Sequence, residues 1–251
     1  MYSNIHSSYY RLLTWGLLIV SISACSTQEI LTLQTGREYS ENYEINDSIE
    51  PDDKMASFIE PFVAPIRMAM NRVITKSEGN LNRGKPEGTL GNLVADILRS
   101  RAMYEMRDRV DVAVMNNQRL LIDLPQGEIT VGHIYELMPF DHQITVLKFT
   151  GNQILQIANE IAEVGGEPVS GMRMRIQDGK AIDVLVGSQE VELTRHYWLA
   201  TSDWMANGCG ELPTLWEPVN RVDYDILIRN TLIAYLDSKT TIQPKRDYRL
   251  R

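Results

Sequence analysis

Between Met55 and Leu236 the chain alternates two hydrophobic periods, and this alternation constrains its fold more than any other feature. "GTLGNLVADILRSRAM" (88–103) sets Leu90, Leu93, Val94, Ile97 and Leu98 on one helical stripe, with Thr89 as the expected cap. "VDVAVM" (110–115) is short and rich in valine, as a buried strand is. "GEITVGHIYELM" predicts a short helix capped by Thr130, and "ITVLKF" (144–149) another strand. "TGNQILQIANEIA" opens with Thr150 and Gln153 at capping-box spacing and carries Ile154, Ala158 and Ile161 on one face. "MRMRI" alternates Met172, Met174 and Ile176 with two arginines, and Asp178-Gly179 supplies a two-residue hairpin turn into "AIDVLV". "YWLATS" predicts a further strand and "VDYDILIRNTLIAYL" a last helix. Interleaved helices and strands with a hairpin give the α/β class, in its α+β variety with mixed sheets.

The globular pattern starts at Met55, where Met55, Ile59, Phe62, Ile66 and Val73 recur at helical spacing, and Pro61 and Pro65 are expected to start or kink that helix. Upstream, residues 37–53 carry seven acids against Arg37 alone and read as a solvated tether or edge segment, preceded by a candidate short strand at "ILTL". The first 24 residues have the form of an export signal: Arg11, an apolar run "LLTWGLLIVSI", then small residues before Cys25. "SISAC" resembles a bacterial lipobox, which makes Cys25 the lipid attachment site and gives the domain plan 1–24 signal peptide, 25–54 lipidated N-terminus and acidic tether, 55–251 globular domain. An ordinary cleaved signal with a chance cysteine is the other reading. The expected location is the bacterial cell envelope, as an exported lipoprotein, periplasmic or surface-facing.

Without residues 1–24 the chain holds 24 basic and 33 acidic side chains, a net charge of −9 that disfavours general nucleic-acid binding. No HxH, HExxH or CxxC spacing occurs among its four histidines and two cysteines, so no metal site is expected in this chain. With Cys25 acylated, Cys209 has no disulfide partner.

Five segments follow one another in a recognisable order: "EGTLGNLVAD" (Glu87–Asp96), "VAVMN" (Val112–Asn116), "LPQGEIT" (Leu124–Thr130), "ELMPFDHQITVLKFTGNQIL" (Glu136–Leu155) and "YWLATSDWMANG" (Tyr197–Gly208). Together they resemble the C-terminal domain of the bacterial 5′-nucleotidase family over residues 55–251. The resemblance implies a four-layer α/β/β/α domain that grips the nucleoside and part of the phosphate. In that family a separate N-terminal metallophosphatase domain with two metals performs the hydrolysis. Its NDxH and GNHE segments do not occur here, so the chain resembles the recognition half alone. Catalytic residues are therefore expected to be absent, with divalent metals only in a separate metallophosphatase subunit. The implied partners are that subunit, a nucleotide or nucleoside, and a membrane through the lipid anchor; nucleic acid is not among them.

The resemblance also points to the ligand loops. The first follows a pattern near NxGGIR; here "NNQRLLIDLP" keeps Asn116 but has Gln118 and Arg119 at the glycine pair and Leu121 at the arginine. Arg119 is a candidate replacement, although strand periodicity does not settle where it points. In the second loop, "PFDHQ", Phe140 matches the aromatic that stacks on the base, and His142 stands where asparagine is usual. The bland reading makes Phe140 core and His142 an exposed loop residue. The third loop, "ANGCGEL", keeps Asn207 and Gly208 but has Cys209 at the second glycine, Gly210 at the aspartate and Leu212 at the aromatic. Glu211 is one step out of register for the aspartate. Trp204 is a candidate replacement aromatic, with core packing as its alternative. The candidate substrate contacts are thus Asn116, Arg119, Phe140, His142, Trp204, Asn207, Gly208 and Glu211.

Three functions are compatible with these residues: a recognition subunit in nucleotide catabolism, a degenerate non-nucleotide-binding receptor or structural envelope lipoprotein, and a self-sufficient hydrolase. The last lacks a nucleophile context, since neither Ser202 nor Cys209 lies in a GxSxG-type elbow.

Overall fold

The computed structural model describes residue 46 and residues 48–251. The signal segment, the "ILTL" strand, Cys25 and much of the acidic stretch lie outside the described residues. Residues Asp52–Arg251 form one compact unit.

That unit begins with helix α1 (Asp53–Met70), capped by Asp52, whose carboxylate accepts from the backbone N–H groups of Lys54 and Met55. Pro61 and Pro65 lie inside the helix. None of its residues is buried: Met55, Phe58, Ile59, Phe62, Ile66 and Met68 are all exposed, Phe58 at 69%. The stripe is helical, as the spacing predicts, and among the described residues nothing covers it. Val73, placed on the same stripe by periodicity, belongs to strand β1 (Val73–Ser77).

Helix α2 (Thr89–Met106) buries Leu90, Val94, Ile97 and Leu98 of the stripe read from the sequence, and Leu93 is half-buried. Its N-cap is Gly88, not Thr89; the Thr89 hydroxyl instead accepts from the Asn82 N–H at 2.9 Å. The motif residues at its start are structural. Asn92 is buried and donates to Glu87 (2.6 Å) and to the Lys245 carbonyl (3.0 Å), tying the helix to the C-terminal segment. Gly91 lets the helix press on Pro168, because a Cβ there would lie 2.8 Å from the proline ring.

The central sheet has the order β10-β4-β9-β2-β5, formed by β2 (Val112–Val114), β4 (Gln143–Thr150), β5 (Val169–Ser170), β9 (His196–Ser202) and β10 (Asn220–Leu227). Both faces are covered, as the valine-rich runs predict. Ala113, Ile144, Val146 and Ala200 face a cluster with α2, α3 (Val131–Leu137) and α6 (Ile228–Asp237). Val112, Val114, Leu147, Phe149, Tyr197 and Leu199 face a second cluster with α4 (Gly151–Glu163) and the hairpin β6 (Met172–Gln177) and β7 (Lys180–Val186). Capping boxes start α3 at Thr130 and α4 at Thr150. The hairpin turns at Asp178 and Gly179, both at positive φ, and β8 (Gln189–Glu190) extends its sheet. A third sheet pairs β1 with β3 (Gly127–Thr130) and β11 (Thr241–Ile242). The architecture is mixed α/β with helices and strands interleaved.

The segment "VDYDILIRNTLIAYL", expected to be one helix, is strand β10 followed by α6. Val222, Tyr224 and Ile226 alternate with exposed Asp223 and Asp225, a period of two that a helical reading overlooks.

Candidate functional site

Strand directions gather the three ligand loops at one end of the central sheet. β2 and β9 run parallel, and β4 runs antiparallel to β9 and β10. The chain leaving β2, entering β4, leaving β9 and leaving β10 thus meets on one edge, the usual place for a ligand in open α/β sheets. A 3-10 turn (Asn117–Arg119) after β2 rotates Arg119 out of strand alternation. Its guanidinium carbon lies 4.7 Å from the Phe140 ring centre and 4.0 Å from that of Trp204. Arg119 therefore fills the space between two half-buried aromatics, a pair of cation–π contacts. His142 flanks them, its ring 5.3 Å from Phe140 and 6.0 Å from Trp204.

His142 is mostly enclosed, with Nδ1 3.7 Å from an Asp203 carboxylate oxygen and Nε2 buried without a partner among the described residues. Burial pushes its pKa down, outweighing the attraction of Asp203; Arg119 adds to the fall. The imidazole is thus held neutral at pH 7, with one buried nitrogen lacking a partner among the described residues. Asp203, at the start of the short helix α5 (Asp203–Ala206), accepts from the N–H groups of Gln143 (3.0 Å) and Trp204 (2.8 Å), linking the second loop to the third. Arg229, which no motif in the sequence singles out, fixes the second loop from behind. It is buried in α6 and donates to the carbonyls of Met138 (3.2 Å) and Phe140 (3.0 Å) and to Asp141.

The other candidates are placed differently. Asn116 is buried and caps the 3-10 turn, accepting from the Gln118 N–H at 2.7 Å. Asn207 ends α5 and accepts from Arg221 Nη1 at 2.8 Å. Gly208, at φ +88°, turns the chain beside Trp216. Glu211 is exposed and Leu212 is buried in the core, while Trp204 stands against Arg119. Cys209 is exposed and free. Ser202 is buried and caps α5 by accepting from the Met205 N–H at 3.2 Å.

Glu167 is a further residue that the sequence does not reveal. It is buried below the first loop, accepts from the Asn117 N–H at 2.6 Å, and is pushed up to about 7 by burial; that hydrogen bond and nearby Lys85 oppose the rise, and Glu211 adds to it. The Asn117 side-chain oxygen next to it is buried without a partner among the described residues. Contacts distant in sequence place Glu167 here, the packing of α2 on Pro168, the Met115 N–H donated to the Pro168 carbonyl at 2.9 Å and the pairing of β5 with β2, and no local sequence pattern signals it.

Among the described residues no group of three or more His, Cys, Asp or Glu is placed to hold a metal ion. An aromatic-walled slot at the strand ends, with hydrogen-bonding side chains around it, defines a binding domain. Comparison with known proteins gives that class its family: the profile described as "5′-nucleotidase, C-terminal domain" matches residues 73–217, more than half of the chain. The chain belongs to this family. It is 25% identical over 211 residues to a 5′-nucleotidase of Vibrio parahaemolyticus serotype O3:K6 (strain RIMD 2210633), covering 79% of this chain and 36% of that protein. It is 27% identical over 204 residues to endonuclease YhcR of Bacillus subtilis (strain 168), covering 78% of this chain and 16% of the relative. The fold matches the crystal structure of a 5′-nucleotidase precursor from Thermus thermophilus with a TM-score of 0.69 at 23% identity, covering 80% of this chain and 43% of that one. The chain spans about a third of the length of the curated 5′-nucleotidases it matches.

Proposed function

We propose that this chain is the substrate-recognition half of a two-part nucleotidase. It is a lipid-anchored protein of the bacterial cell envelope that binds a nucleotide or nucleoside in nucleotide catabolism. A separate metallophosphatase subunit supplies the divalent metals and the hydrolysis; this chain has no catalytic residues of its own. The observation that carries this reading is the convergence of three loops on the Phe140–Trp204 slot, whose spacing already holds a planar group. Asn116 caps the turn that carries Arg119, Asn207, Gly208 and Glu211 shape the third loop, and the His142 ring flanks the slot where a base or ribose would sit. The exposed apolar face of α1 supports the partner: it lies just before residue 73, where the family match starts, and the relatives carry nearly two thirds of their length outside the matched part.

A second reading, a receptor for another ligand or a structural envelope lipoprotein, is favoured by one observation: Arg119 occupies the slot. Calorimetric titration of the full chain with adenosine and AMP separates the two. For a recognition half, adenosine binds saturably, Phe140→Ala weakens it about tenfold, and Arg119→Ala strengthens it about tenfold by vacating the slot, since a base stack contributes ~1–3 kcal/mol. If neither the wild-type chain nor Arg119→Ala takes up adenosine or AMP, the second reading stands.

A further inference from the structure

A second concavity, of ≈ 300 Å³, lies between α2, the turns that bound β6 and β7, and the C-terminal segment, and it is lined by four cations, Arg99, Arg173, Lys245 and Arg249, and two carboxylates, Asp96 and Asp247. None of the loop-site residues lines it. The four cations minus the two carboxylates leave a local charge of +2 in a chain whose net charge is −8.

The ion pairs inside it are already complete on one side. Arg249 is buried and spends its guanidinium on Asp96 (2.8 and 3.1 Å), Asp247 (2.8 and 3.0 Å) and the Val169 carbonyl (2.8 Å). Arg173 bonds the Asp247 carbonyl at 2.7 Å and lies 3.3 Å from its carboxylate. Both acids are thereby engaged. Arg99 makes one bond, from Nε to the Val110 carbonyl at 2.9 Å. Its two Nη groups and the Lys245 ammonium make no hydrogen bond and no ion pair within 4 Å among the described residues, although Asp96 and Asp111 attract Arg99 and Asp247 attracts Lys245 from farther away.

The wall is built to hold Arg99 in this position. Gly171, at φ +78°, packs so closely that a Cβ would lie 2.9 Å from Arg99 Nε and 2.1 Å from the Asp111 carbonyl. Burial lowers the Arg99 pKa against the attraction of Asp96 and Asp111, so part of its desolvation is uncompensated. Arg109 Nη2 stands behind Gly187, and the Arg109 guanidinium is paired with Asp111. A planar fork and a point charge facing one small cavity with a surplus of two positive charges fit a tetrahedral dianion better than a single carboxylate.

We propose that this cavity is a phosphate-binding site, separate from the aromatic slot, in which Arg99 and Lys245 are the primary contacts. It depends on no reading of the loop site. The test titrates the full chain with inorganic phosphate and, separately, with glycerol phosphate, by calorimetry and by backbone amide NMR. The expected result is saturable binding that shifts the amides of Gly171 and Ser188. Lys245→Gln, at an exposed position that leaves the fold intact, weakens it about tenfold or more. Tighter inorganic phosphate assigns the free ion, and tighter glycerol phosphate assigns a phosphate group on a larger molecule; both support the site. Absence of saturable binding overturns it. So does binding unaffected by Lys245→Gln, or shifts confined to Phe140 and Trp204.

Discussion

Arg229→Met is expected to lower the unfolding free energy by about 3 kcal/mol and to release the Phe140 loop. The buried guanidinium serves two backbone carbonyls, Met138 at 3.2 Å and Phe140 at 3.0 Å, that methionine cannot satisfy. Each loses a charged donor and is left under-satisfied, at a cost of ~1–3 kcal/mol. Removing a buried charge normally returns some desolvation energy, and where both ionic partners are replaced the exchange is often neutral. Here the ionic partner, Asp141, is 75% exposed and gains little from pairing, so the carbonyls decide the sign. Stacking of the guanidinium 4.3 Å from the Tyr135 ring is lost as well. Urea denaturation at pH 7 reads the effect as a lower midpoint at unchanged slope. Arg229→Lys, with one ammonium for two carbonyls, falls between the two. A midpoint for Arg229→Met within about 0.5 kcal/mol of wild type, the range of ordinary surface substitutions, would show that the loop is held by something else.

The contrast between Arg229 and Phe140 shows what the sequence can carry. Phe140 is legible because it sits in a motif with its strand; the donor that fixes its carbonyl arrives from 89 residues away, through the pairing of β10 with β4. Elements governed by local rules are readable: the capping boxes at Thr130 and Thr150, the Asp178-Gly179 turn, the buried stripe of α2. Those governed by context are not. α1 has the right period and no cover among the described residues, because periodicity reports which residues share a face and not what meets it. β10 reads as helix because Ile226, Leu227 and Ile228 run the alternating strand into the helix without a break. Arg119 is visible as a residue, but the 3-10 turn that swings it between two rings is set by Asn116 turning inward to cap it.

Glu167→Gln is expected to flatten the pH dependence of stability and to raise the unfolding free energy by about 3 kcal/mol above neutral pH. The carboxyl titrates at about 7 in the folded chain against 4.5 as its ordinary value, so the native state binds the extra proton between those limits. Stability from this group is therefore complete below pH 4.5, falls as pH rises toward 7, and is lost above it. A shift of 2.5 units (7 − 4.5) corresponds to ~3 kcal/mol. Glutamine keeps an oxygen for the Asn117 N–H and removes the charge, leaving Lys85 and Glu211 as the ionised neighbours. His142 acts in the opposite sense. Its lowered pKa means that the unfolded chain takes the proton first, so stability rises with pH toward 6.5. Because His142 is common to both chains, the difference between the wild-type and Glu167→Gln curves isolates the glutamate. Urea midpoints at half-unit steps from about pH 4.5 to about pH 8 should diverge as pH rises, with the glutamine variant the more stable. Parallel curves would mean that Glu167 is ionised throughout, and that water or Lys85 stabilises its charge beneath the first loop.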